Sequence, residues 1–170
     1  TRVDRKKLGL GHTREFVEQV FGEGMHALRV LSLANGVAGV LNAAVLSIHA
    51  IGQAYAGLAK VTAKSGVKQI DRLLSNEGVV PDALLERWAR FVVGDEASIL
   101  VALDWTDFDK DDHTTLCAFM ATAHGRAMPL AWKTVRKSEL KTNRTRLELE
   151  MVERLNGWLP KSVKVTLLGD

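Results

Sequence analysis

At Gly94 the spacing of apolar residues changes, and that change limits what the chain can fold into. Before it, apolar side chains recur every three to four residues, as on one face of a helix; after it they alternate, as on a strand. In "HTREFVEQVFGEGM", Phe16, Val17, Val20 and Phe21 share a face, with Thr13 as an N-cap and Glu15 and Glu18 in the early turns. "SGVKQIDRLLSN" reads as a helix capped by Ser65, with Val67, Ile70, Leu73 and Leu74 as its apolar stripe. Its other side carries Lys64, Lys68 and Arg72. "VPDALLERWARFVVG" places Pro81 in a first turn and Gly94 at a stop.

Beyond Gly94, "SILVALDWTDF", "TTLCAFMATAHG" and "RAMPLAWKTVR" read as three strands, the last two joined by a turn at His124-Gly125. "TNRTRLELEMVERLNGWL" returns to helical spacing through Leu147, Met151, Val152, Leu155 and Trp158, and Asn156-Gly157 and Pro160 close it. "KSVKVTLLGD" is a fourth strand. The expected fold class is α/β: a helical region over residues 1–95, then an antiparallel three-stranded meander, a crossover helix and a parallel fourth strand over residues 96–170. If the fourth strand lies beside the first, Asp104 and Asp170 become neighbours although 66 residues separate them.

Composition bounds the classes. Apolar content of 46% and charged content of 25% are those of a globular chain. A formal charge of +3 permits a polyanionic partner without demanding one. The lone Cys117 excludes an intrachain disulfide framework and points to a reducing, cytoplasmic setting. Val30 to Ala59 contains no charged residue, which raises a membrane span. Asn35, Asn42, His49 and Gln53 recur within it, so two buried helices of a soluble domain explain the stretch better.

Asp104 follows the continuous apolar run "SILVAL", so its strand is expected to be central and covered on both faces. A carboxylate there is costly unless paired, hydrogen-bonded or metal-bound. Asp170 follows "VTLL" and Gly169 in the same way. Two such acids repel, and Mg²⁺ or Mn²⁺, which prefers oxygen ligands, relieves the repulsion. The plainer alternative for either residue alone is a turn-former at a strand end. Asp107, Asp109, Asp111 and Asp112 read as a solvated acidic loop, with Asp107 near enough to assist Asp104.

In "KTVRKSELKTNRTR", Lys133, Arg136, Lys137, Lys141, Arg144 and Arg146 stand against one acid, Glu139. This is either a solvated loop and helix start or an arm for a nucleic-acid backbone. The face Lys64, Lys68, Arg72 carries the same two readings. The five histidines share no metal-ligand spacing, and no Ser-His-Asp set, phosphate loop or dinucleotide fingerprint is present. Cys117 reads as an inward strand residue, and Trp88, Trp105, Trp132 and Trp158 as core.

The stretches "LVALDWTDFD", "KVTLLGD" and "SGVKQIDRLLSN" together resemble DDE transposases of bacterial insertion sequences, in the group with a Tyr-Arg-Glu-Lys signature. The resemblance implies an RNase H-like catalytic domain after a helical DNA-binding region. It implies Asp104 and Asp170 as the first and second catalytic, metal-ligating aspartates, with Mg²⁺ or Mn²⁺ as cofactor. The reaction would be strand nicking and transfer at element ends, with transposon-end and target DNA as partners, by a dimer or larger assembly in a bacterial cytoplasm. The third acid, a glutamate within the Tyr-Arg-Glu-Lys motif, has no counterpart here. The expectation is therefore a fragment cut after the second aspartate and inactive alone. Two alternatives stand beside it: a non-catalytic DNA-binding remnant, and part of another RNase H-like nuclease.

Overall fold

The computed structural model describes residues 9–123 and 125–169, apart from the Lys141 side chain. The chain divides into two compact units, Thr1–Pro81 and Asp82–Asp170. The first holds helices α1 (Leu10–Phe21), α2 (Ala27–Ala43), α3 (Ile48–Ala59) and α4 (Ala63–Leu74). The second follows the order α5 (Pro81–Val93), β1 (Ser98–Phe108), a 3-10 turn (Asp109–Asp111), β2 (His113–Ala121), β3 (Ala127–Arg136), α6 (Lys137–Trp158) and β4 (Lys164–Leu168). The division thus falls ahead of α5, whereas the period changes at Gly94. The cause is burial: Ala89 and Val93 of α5 lie in the same core as the strands.

In the helical unit, α1 begins three residues before the expected cap. Thr13 is buried inside it, and its hydroxyl donates to the Gly9 carbonyl at 3.3 Å. Val17 of α1 packs with Val30 and Ala34 of α2, and Phe21, Met25, Leu33 and Val37 close round them. The polar residues of the uncharged stretch find partners there. Asn35 accepts from Arg14 at 3.4 Å, Asn42 donates to the Ala38 carbonyl at 2.9 Å, and His49 pairs with Gln53 at 3.0 Å. Among the described residues no single helix is long and apolar enough to cross a membrane, and α2 and α3 bend by 101° at their junction.

α3 and α4 approach closely because glycine faces them. A Cβ on Gly52 would meet the Val67 nitrogen at 2.7 Å, and one on Gly66 would meet the Ala56 Cβ at 2.7 Å. α3 ends with Lys60 in the left-handed region (φ 55°). The cap of α4 is Thr62, not Ser65: the Thr62 hydroxyl accepts from the Ser65 amide at 3.2 Å. A cap must precede the first turn to reach its orphan amides, and Ser65 lies within that turn.

The second unit carries one four-stranded sheet in the order β3-β2-β1-β4. β1 pairs antiparallel with β2, β2 antiparallel with β3, and β4 runs parallel to β1, as the strand, helix, strand order implied. Side chains alternate between faces. Ile99, Val101, Leu116, Ala118, Met120 and Leu130 meet Ala89 and Val93 of α5 and Met151 and Leu155 of α6. Each large apolar side chain so buried contributes roughly 1.5–3 kcal/mol.

The other face is not covered in the same way. Leu100 is 36% and Trp132 48% exposed, and Asp104 is exposed. The expectation that β1 is covered on both faces is therefore corrected, and so is the placing of Trp132 in the core. β1 is interior in the strand order, but a run of apolar letters does not say how many layers cover it.

Candidate functional site

A cavity of about 380 Å³ opens at the C-terminal end of β1. β1 lines it with Leu103, Asp104, Trp105 and Asp107, α6 with Leu140, Arg144 and Glu148, and Gly169 closes it just after β4. The α6 residues recur every four positions, which places them one above another on a single helix face. The adjacent turns, at Leu147, Met151 and Leu155, are buried and dock the helix.

The polar side chains hold one another. Trp105 Nε1 donates to Glu148 Oε1 at 2.7 Å, and Arg144 Nε donates to the same oxygen at 3.1 Å. The Arg144 guanidinium also lies 5.9 Å from the Trp105 ring centroid, within cation–π range. The indole, carboxylate and guanidinium therefore lock in one arrangement on the α6 side of the sheet, whereas Asp104, one residue before Trp105, turns toward the opposite face with Leu100 and Trp132. Nothing in the alternation of β1 pointed to Glu148. Its one sequence signal was the Arg144–Glu148 spacing of four on an expected helix.

Asp107 is committed elsewhere. Lys137 Nζ lies 3.0 Å from its carboxylate and also pairs with Asp109. Hydrogen bonds from Lys137 and then from Thr114 hold the Asp107 carboxyl below its ordinary range, while Asp109 and Asp107 raise the Lys137 ammonium. Asp104, by contrast, makes no ion pair among the described residues. Its register partner on β2 is Cys117, whose thiol is pushed up to about 11 by burial first and by the Asp104 charge second. That thiol is a packing group, not a nucleophile at neutral pH.

The Lys137 pairing gives a pH signature. Lys137→Ala should lower the stability of the second unit between about pH 4 and pH 10, followed by urea unfolding. Asp107 titrates lower in the folded state, so its contribution is full above its unfolded value of 3.8 and is lost as pH falls through the folded one. Lys137 titrates higher, so its contribution is full below 10.5 and is lost as pH rises through the folded value. A difference between variant and parent that persists unchanged at pH 2.5 would discount the pairing.

The basic segment looks different in space. Lys133 pairs with Glu150 at 2.8 Å, Arg146 with Glu150 at 2.7 Å, Arg144 with Glu148, and Lys137 with the two aspartates. Lys133 thereby holds the Glu150 carboxyl below its ordinary range. Four of the six cations are thus compensated by acids that their own stretch of sequence does not contain. Arg136 is exposed at the start of α6, and the Lys141 side chain lies outside the described residues. On α4 the pattern is the reverse: Lys64, Lys68 and Arg72 are all exposed, and no ion pair engages them among the described residues.

Asp170 lies outside the described residues. The parallel register between β1 and β4 runs to Ala102 opposite Leu168. In the sequence Asp104 and Asp170 each stand two positions beyond those partners. Among the described residues no group of three His, Cys, Asp or Glu side chains is placed to hold a metal. The donor set is one uncommitted, exposed carboxylate at the edge of a polar cavity. That suits a hard cation whose other ligands are water and substrate oxygens, and it does not suit a closed zinc or calcium cage. No family model, no curated protein and no solved structure matches the chain.

Proposed function

We propose that this chain is the DNA-binding and partial catalytic portion of a DDE-type DNA transposase with an RNase H-like second unit. The observation that carries the reading is Asp104: an uncommitted, exposed carboxylate on an interior strand, at the edge of a polar cavity and next to the parallel β1–β4 pair. Asp104 and Asp170 would hold Mg²⁺ or Mn²⁺. When bound, the metal supplies charge neutralisation for phosphodiester displacement. Arg144 offers a guanidinium already oriented by Trp105 and Glu148 at the same end of β1, which can hold a phosphate oxygen of a long substrate without further ordering. Leu103 and Leu140 give the cavity an apolar wall that limits water beside those charges.

The test is Mn²⁺ binding, followed by the electron paramagnetic resonance signal of the free ion. Asp104→Asn should weaken binding by about tenfold or more, since even the outer partners of metal ligands are worth 10–100-fold. Asp107→Asn should change it little, because Lys137 already occupies that carboxylate. Equal Mn²⁺ affinity in the parent and in Asp104→Asn would sink the assignment. Residues 1–170 carry two of the three acids that the transposase reading requires, so they should leave supercoiled plasmid intact in Mn²⁺ buffer. Nicking that disappears with Asp104→Ala would overturn that expectation.

A second reading, DNA binding without cutting, is favoured by one observation. Lys64, Lys68 and Arg72 on α4 are exposed and make no ion pair among the described residues, while Lys133, Lys137, Arg144 and Arg146 near the cavity are paired.

A further inference from the structure

We propose that the groove between α1 and α2 is a docking site for a basic amphipathic helix of a partner protein. Both helices belong to the helical unit, so the docking is independent of the transposase reading of Asp104. A cavity of about 320 Å³ opens between them. Its floor is aliphatic and comes from α2: Val30 and Ala34, which pack on Val17, with Ala27 and Leu31 beside them. Its rim is charged and comes from α1, through Arg14, Glu15 and Glu18.

The floor has the spacing of a helix-in-groove site. Ala27, Leu31 and Ala34 recur at intervals of four and three, so they form one stripe along α2. The stripe rises about 10 Å, close to two helical turns. A large residue between two small ones leaves a recess on either side of Leu31. Large apolar side chains at i and i+7 of an incoming helix reach both recesses, and one at i+4 packs beside Leu31. The leucines here are open to water: Leu31 is 39% exposed, and Leu28, one turn before it, 69%. Covering them is the favourable contribution to docking.

Charge selects the occupant. Glu15 and Glu18 lie three residues apart on neighbouring turns of α1, are exposed, and make no ion pair among the described residues. Arg14 is tied back instead, its guanidinium donating at 3.4 Å to Asn35, which is buried on α2. The rim thus presents two carboxylates outward, against one cation that is already engaged. Lysines or arginines flanking the apolar stripe of a helix complement those carboxylates. A nucleic acid or an anionic lipid surface is repelled by them.

The experiment titrates the isotope-labelled 170-residue chain with a helical probe peptide that carries leucines at i, i+4 and i+7 and lysines beside them. Backbone amide shifts in nuclear magnetic resonance locate the binding as well as measure it. Shifts should cluster over Arg14–Glu18 and Ala27–Ala34, and affinity should fall as salt rises. The double variant Glu15→Lys, Glu18→Lys should bind the lysine peptide at least about tenfold more weakly. It should also take up, at the same residues, a matched peptide whose lysines are replaced by glutamates. That exchange of partners separates recognition from loss of fold. Leu31→Ser should weaken either pairing by about tenfold. Shifts confined to other parts of the chain, or equal affinity of the parent for the two peptides, would overturn the proposal. Groove shifts that depend on the concentration of the chain alone would assign this face to a second copy and overturn it as well. The same groove shifts with duplex DNA in place of the peptide would refute the selection by charge.

Discussion

Gly66→Val is expected to destabilise the helical unit by about 3 kcal/mol or more. A Cβ at this position would stand 2.7 Å from the Ala56 Cβ and closer still to the Gly52 carbonyl oxygen. Neither obstacle is the free end of a long side chain. One is a methyl fixed to a helix, and the other is backbone. Relief requires α3 and α4 to separate, which would break the contact that orients α4. Overpacking of a well-packed interior costs about 1–3 kcal/mol, and a branched side chain against backbone belongs at or above the upper end. That is a large part of the roughly 5–15 kcal/mol by which a domain is stable. Gly57 is the control. It lies in α3, and a Cβ there meets nothing within 4 Å. Gly57→Ala should raise stability by about 0.5–1 kcal/mol through helix propensity alone. Urea unfolding by circular dichroism measures both. A Gly66→Val midpoint equal to that of the parent would refute the close approach of the two helices.

Met151→Ala should destabilise the second unit by about 2–5 kcal/mol, the usual range for emptying a buried long side chain. Met151 is 2% exposed and packs in the cluster that holds Val101, Leu116, Ala118 and Leu130. It lies one turn beyond Glu148 on α6, so it anchors the part of the helix that brings Arg144 and Glu148 over Trp105. Leu149, two residues away and 58% exposed, is the comparison. Leu149→Ala should change stability by no more than about 0.5 kcal/mol. A Met151→Ala loss below about 1 kcal/mol would mean that α6 docks through other contacts.

Much of the second unit was legible in the sequence. Strand-like apolar runs bounded by turns located all four strands, and the helix between the third and fourth implied a parallel return beside β1. Pro81 and Gly94 bound α5 as expected, Gly94 with a positive φ of 54°. Other features were not legible, each for a physical reason. Thr13 and Ser65 have the chemistry of caps but sit inside the helices they would begin, because a cap is defined by where the backbone turns. Trp132 stands two residues after the buried Leu130, yet it is half exposed, because the irregularity in β3 opposite Ala118 and Phe119 breaks the alternation and turns it to the other face. The basic segment met Glu148 and Glu150 one helical turn along α6, and Lys133 and Lys137 acquired Glu150, Asp107 and Asp109 only in space.

Local order in the chain was determined by the sequence alone: which segments are helix or strand, which side of each is apolar, and that Asp104 stands within a strand after a run of apolar residues. Periodicity carries that information because side-chain direction follows backbone geometry residue by residue. Tertiary structure alone decided which charges remain available. It paired Lys133 with Glu150 and Lys137 with Asp107, and it left Asp104 and the α4 cations uncommitted. An ion pair between elements depends on their register and docking, set by the burial of residues such as Met151 and Gly66. No window of sequence spans both partners.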